Sequence, residues 1–186
     1  MLNITQAVTR AFRQTFNFQG RARRSEYWWT WLFLLVLVLA CGFIDDALIP
    51  TMSDADAEIG EGAGYKSWLL NWKYLPLSTG VYYLTLPTLL AVTARRMHDV
   101  NKPAWIGMLP ILAMEIMMFI RFEDLIVVLE SGQIAPSFRL IAFIGLFCLT
   151  AFFGLYTLFL CIRDGDQFDN QYGPSPKYGN ELDVFD

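Results

Sequence analysis

The sequence predicts an all-α integral membrane protein: a four-helix bundle with both termini cytoplasmic, preceded by a short N-terminal amphipathic helix lying in the interface. Three observations predict it. The chain has 186 residues and is 55% hydrophobic but only 17% charged, against about 25% charged in an ordinary soluble domain. Its apolar residues come in blocks: Tyr27–Ile44, Leu77–Ala94 and Leu140–Ile162 carry no charge, and Ala104–Met114 is parted from Ile116–Ile120 only by Glu115. Lys and Arg gather on alternate connections. Crossing ~30 Å of hydrocarbon takes about 20 mostly apolar residues at ~1.5 Å rise each. Four spans fit, at about 27–47, 74–94, 104–121 and 140–162, within one membrane domain covering 1–186. Soluble helices are seldom hydrophobic all round, as these four are.

Residues 1–16 form the first element. Ile4, Val8, Ala11, Phe12 and Thr15 share one face at helical spacing, and Asn3, Gln6, Arg10 and Arg13 take the other. Such a helix lies in the inner interface, its basic side toward anionic headgroups, at ~1 kcal/mol per Lys or Arg.

Span one opens on Tyr27, Trp28 and Trp29, amphipathic rings suited to headgroup depth. Ser25 is its expected N-cap, with Glu26 in the first turn where a carboxylate suits the helix dipole. The 45–66 loop that follows is acidic and glycine-rich and is expected to be mobile on the outer side. Span two contains Pro76, Gly80 and Pro87; such a helix persists in lipid where neighbours cover the freed backbone groups.

The turn from span two to span three reads "ARRMHDVNKPAW", residues 94–105. Arg95 and Asp99 stand at i,i+4. Asn101 and Pro103 turn the chain, with proline suited to a first helical turn. His98 is the sole histidine and is expected to hydrogen-bond within the turn. In span three, Glu115 lies ~18 Å along the helix from Pro103, beyond the midplane. An acid there is costly and is a functional candidate by default; its plainer fate is a hydrogen bond to Thr85, Thr88 or Thr150. Residues 123–132 either extend helix three or form a separate interfacial turn, ended by Gly132 and Pro136. The 163–186 tail is an irregular loop, with Asn170 and Tyr172 as spare hydrogen-bonding groups.

Basic residues in short connections mark the cytoplasmic side. Residues 1–26 and the 95–102 turn hold eight of them, and the two opposite connections hold four. The N-terminus, the His98 turn and the tail therefore share the cytoplasmic rim. There Arg21, Arg24, Glu26, Arg95, Arg96, His98, Asp99, Trp105, Asn170 and Tyr172 come within reach of one another. They form either a belt of separately solvated charges, a structural clasp, or a pocket with surplus positive charge suited to a phosphate or carboxylate.

The same stretches carry a family resemblance. Gly20, Arg21, Arg24, Glu26, Tyr27 and Trp28 fit one motif. Arg95, Arg96, Met97, His98, Asp99 and Trp105 fit a second, and Asn170, Tyr172, Gly173 and Pro176 a third. Over roughly residues 15 to 178 the chain resembles the bacterial inner-membrane proteins of the YhaH and YhaI type, catalogued as domain of unknown function 805. It departs from them at Pro103-Ala104, often Ser-Gly, at Gln171, often basic, and in a longer acidic loop. The resemblance implies a four-span inner-membrane protein and implies no activity.

Function classes narrow accordingly. Cys41, Cys148 and Cys161 lack metal-type spacing, so no metal and no cofactor are expected, and the cysteines are packing residues. No nucleotide loop and no broad basic surface point to nucleic acid. The expectation is a non-enzymatic membrane module whose rim cluster binds an anionic group, a lipid headgroup, or a partner protein, as a monomer or homo-oligomer in the bilayer. A small oligomeric transporter or channel using Glu115 is the alternative. A membrane enzyme acting on a lipid-borne or phosphorylated substrate through His98 and Asp99 is the lesser one, because no nucleophile or metal set accompanies them.

Overall fold

The computed structural model describes residues 3–48, 77–119 and 138–177. Its regular elements are helices: α1 (Ile4–Arg13), α2 (Arg24–Leu48), α3 (Leu77–Asp99), α4 (Trp105–Phe119) and α5 (Phe138–Ile162). No strand occurs among the described residues beyond an isolated bridge between Asn170 and Gly173. Three stretches are long and apolar enough to cross a membrane: Arg24–Asp45, Leu77–Asp99 and Ile144–Ile162. Trp105–Met117 of α4 is apolar but shorter. The acidic loop past residue 48, the 123–132 segment and the tail past residue 177 lie outside the described residues.

The outer faces of these helices are greasy. Phe43 is 74% exposed, Leu84 79% and Leu155 69%, a pattern that calls for lipid rather than water around the chain. The buried core gathers instead at one end, from Ala22, Tyr27, Val92, Met97, Ile106 and Leu160 among others.

Local chemistry shows how the helices tolerate their polar residues in an apolar setting. Thr30, Thr85, Thr93 and Thr150 each return the hydroxyl to a carbonyl four residues back, Glu26, Val81, Leu89 and Leu146, at 2.7 to 2.9 Å. Pro110 interrupts α4 and cannot donate to the carbonyl of Ile106. Thr157 of α5 donates to that oxygen instead, at 3.0 Å. The freed group is thus satisfied from a neighbouring helix.

Two close approaches set the packing. A Cβ at Gly107 would stand 2.7 Å from Thr93 Cγ2 and 2.8 Å from Met97 Cγ, so glycine lets α4 lie against α3. Helices α2 and α3 run antiparallel along their lengths. At one end Asp45 accepts from the backbone N–H groups of Leu77 (2.7 Å) and Ser78 (2.8 Å), capping α3 with a carboxylate where the dipole favours one. At the other end Glu26 faces Arg95.

Helix α1 packs on both. Ala7 and Ala11 are fully buried, Phe12 meets Phe33 edge-on at 6.1 Å, and Thr15 bonds Thr88 at 2.9 Å. Ile4 and Phe12, expected on the apolar face of an interfacial helix, stay 43% and 41% exposed. The small Ala7–Ala11 stripe permits the closest approach and takes the buried face. Arg10, expected to face headgroups, reaches Glu26 at 3.5 Å.

Candidate functional site

At the charged end, α3 persists through Asp99, five residues past the expected limit of span two. Three of its carbonyls near this end find donors from elsewhere in the chain. Arg95 O accepts from Ala22 N (3.0 Å), His98 O from Asn170 Nδ2 (3.0 Å), and Asp99 O from Asp166 N (2.8 Å). The entering chain and the tail thereby finish the helix. Gly20 (φ +81°) and Asn101 (φ +54°) adopt the left-handed backbone that these turns need.

Successive helical residues point about 100° apart, so Arg95 and Arg96 take different partners. Arg96 is fully buried and turns to α5. It pairs with Asp99 and donates to the carbonyls of Leu160 (3.4 Å), Cys161 (3.3 Å) and Arg163. Those are the orphan oxygens of a helix end, where a cation also suits the dipole. Arg24 adds a bond to Ile162 O at 3.0 Å and an exposed pair with Asp164 at 3.2 Å.

Arg21 performs the same service for the tail. Its Nε donates to Asp99 Oδ1 at 3.1 Å, and Nη1 reaches the carbonyls of Phe168 (2.9 Å) and Gly173 (3.2 Å). The Asp99 carboxylate is therefore held by Arg21 and Arg96. The expected Arg95–Asp99 pair does not form, because both oxygens are taken. Gly165 lies so close that an added Cβ would fall within that carboxylate.

The tail is folded over this cluster. His98 stacks on Tyr172 with ring centres 3.9 Å apart and planes 7° from parallel, while its Nδ1 lies 3.1 Å from the Gly20 carbonyl. Asn170 Oδ1 accepts from Tyr172 N at 2.9 Å, and Gly173 turns at φ +120°. Neither Asn170 nor Tyr172 is a spare group. His98 is wedged between two segments, and Asp99 is held by two arginines.

Beside this clasp, in which Arg96 Nε is buried without a partner, lies a less satisfied set. Arg95 is 2% exposed and Glu26 fully buried. Their side chains approach to 3.5 Å, as do those of Glu26 and Arg10, and Arg23 also acts on the Glu26 carboxylate. Yet Nε, Nη1 and Nη2 of Arg95, Nε of Arg23 and both Glu26 oxygens are buried without a hydrogen-bond partner. Three arginines surround one glutamate, leaving two positive charges in surplus. Buried charges in this condition cost several kcal/mol each, a cost that acceptor oxygens of an anion or ordered water would lower.

Of the residues expected in one cluster, Trp105 does not join. It is 56% exposed and leans on Phe153 of α5 at 6.1 Å; Ile106 and Gly107, next along α4, are the residues that face inward. Ser25 is not the cap of α2: the helix begins at Arg24, and Arg23 O accepts its first bond, from Tyr27 N at 3.1 Å. Arg23, three residues before Glu26, and Arg10, expected on the headgroup side of α1, complete the set around that carboxylate. Gly165 and Asp166 gave no comparable signal in the sequence.

Away from this end, Glu115 accepts from the Tyr82 hydroxyl of α3, and its other oxygen is buried without a partner. The expected threonine partners are engaged elsewhere: Thr85 and Thr150 with their own helices, Thr88 with Thr15. No group of metal-ligating side chains occurs among the described residues.

A family model described as a protein of unknown function, DUF805, matches residues 15–174. No curated protein and no solved structure matches the chain.

Proposed function

Because the chain belongs to the DUF805 family, whose description supplies no activity, we propose a function from the geometry: a non-enzymatic membrane module that binds an anionic phosphate-bearing headgroup at Arg95, Arg23 and Arg10, beside Glu26. The charged end lies at the cytoplasmic face of the inner membrane, with four crossings and both termini inside. The distribution of Lys and Arg supports that orientation.

The observation that carries the proposal is the Arg95 guanidinium, 2% exposed with none of its nitrogens hydrogen-bonded. Arginine presents five N–H donors in a fork that fits phosphate. Arg21, Arg96 and Asp99 form the scaffold that holds the three chain segments in place; their bonds go to protein atoms and leave little for a ligand.

The test is phospholipid retained by the full chain after purification in detergent, extracted and counted per protein. Arg95→Gln is expected to lose most of the anionic lipid that wild type retains, and Arg13→Gln, which removes an exposed charge from α1, to keep it. Glu26→Gln is expected to retain at least as much as wild type, since it removes the one repelling carboxylate. Equal retention by wild type and Arg95→Gln overturns the proposal.

A transport reading has one observation behind it, the half-satisfied Glu115 carboxylate in contact with Tyr82. Equal ion flux through liposomes bearing wild type and Glu115→Gln removes it.

A further inference from the structure

Between α2 and α3, on the membrane side of the Glu26–Arg95 pair, lies an apolar cleft of about 170 Å³. Trp31, Leu35 and Val38 line it from α2, and Tyr82, Leu86 and Leu89 from α3. Trp31 is 39% exposed and Leu35 40%, so the cleft opens sideways, into hydrocarbon if these helices span a bilayer. Its size compares with the ~150 Å³ apolar cavity that admits a benzene ring.

The cleft and the charged set are built on the same two helices in one register. Trp31 lies five residues beyond Glu26 and Leu89 six before Arg95, which is about 7–9 Å along the helices. That is close to the ~5–8 Å depth of a single headgroup layer. A phosphate against Arg95 thus leaves an acyl chain of the same molecule level with the cleft.

We propose that a single anionic phospholipid occupies both places at once, its phosphate on the Arg95 set and one acyl chain lodged between α2 and α3. The proposal rests on the headgroup reading above and adds the tail. Lipid tails are already in an apolar medium, so the chain gains close packing rather than escape from water. Selectivity for chain length therefore reads out the cleft, and selectivity for charge reads out the arginines.

The experiment is native mass spectrometry of the full chain in detergent micelles. The probes are dioleoyl phosphatidylglycerol, dihexanoyl phosphatidylglycerol and inorganic phosphate. Wild type is expected to bind the long-chain lipid about tenfold more tightly than the short-chain one. Val38→Phe and Leu86→Phe, which fill the cleft, are expected to bring the two within about twofold while the short-chain affinity holds. Equal binding of both lipids by wild type overturns the tail site and leaves the headgroup reading standing. Inorganic phosphate binding as tightly as the long-chain lipid does the same, and names free phosphate as the ligand. Undiminished chain-length selectivity in both filled variants also overturns the cleft. Binding of no probe by wild type overturns both proposals. If neither filled variant folds, the wild-type comparison of the two chain lengths still decides.

Discussion

The side chains of Glu26 and Arg95 face each other at 3.5 Å across α2 and α3, both sealed from solvent, with no side-chain hydrogen bond between them or to any other group. Arg21, Arg95 and Arg96 are all buried at the same end of the helices, yet their surroundings differ completely. Arg21 and Arg96 donate to carbonyls and to Asp99. Arg95 has charge without acceptors.

Removing one member of a buried pair exposes the other's uncompensated charge, at about 3–5 kcal/mol. Arg95→Met is therefore expected to destabilise the protein strongly, and the Glu26→Gln/Arg95→Met double variant to recover much of that loss. Unfolding in mixed micelles measures it. Additive losses in the double-mutant cycle would show that the two side chains do not interact.

The clasp gives a second expectation. Asp99→Asn weakens the contacts with Arg21 and Arg96, and Gly165→Ala pushes a methyl into the same carboxylate. Both are expected to free the tail, seen as proteolytic cleavage near residues 164–173 that wild type resists. Tail protection unchanged in both would contradict the contacts described.

Much of the fold was legible because lipid imposes length and polarity together. Charge-free blocks marked α2, α3 and α5, and the Arg, His and tail motifs expected together do lie at one end of the helices. Individual pairings were not legible. Arg95 and Arg96 are adjacent in sequence, and only the positions of α2 and α5 decide that one turns to Glu26 and the other to the end of α5. Glu115 was visible as the one acid within an apolar stretch, but its partner Tyr82 depended on which hydroxyls the helices had already used. Trp105 carried a motif position and still fell outside the cluster, because α4 presents Ile106 and Gly107 to its neighbours.

The Glu115–Tyr82 contact makes a third expectation. Tyr82→Phe leaves the Glu115 carboxyl without its donor, at about 1–3 kcal/mol, whereas Glu115→Leu orphans only the half-buried Tyr82 hydroxyl and is expected to cost less. Thermal unfolding in detergent orders the two. A Glu115→Leu loss larger than that of Tyr82→Phe would place an unrecognised partner on the acid.

Thr157 and Pro110 form a fourth test. Thr157→Val is expected to cost about 1 kcal/mol by orphaning Ile106 O. In a Pro110→Ala background the restored N–H supplies a donor to that oxygen, and the same substitution is expected to cost less. Equal costs in the two backgrounds would dissociate the threonine from the proline.

The central claim is that Arg95 holds a phosphate from the bilayer. A cryo-EM map of the full chain in nanodiscs containing phosphatidylglycerol tests it most directly. The account predicts non-protein density of phosphate size within hydrogen-bonding distance of the Arg95 guanidinium, continuous with density between α2 and α3. Glu26 and Arg95 closed into a direct two-point pair, with nothing but protein around them, would contradict it.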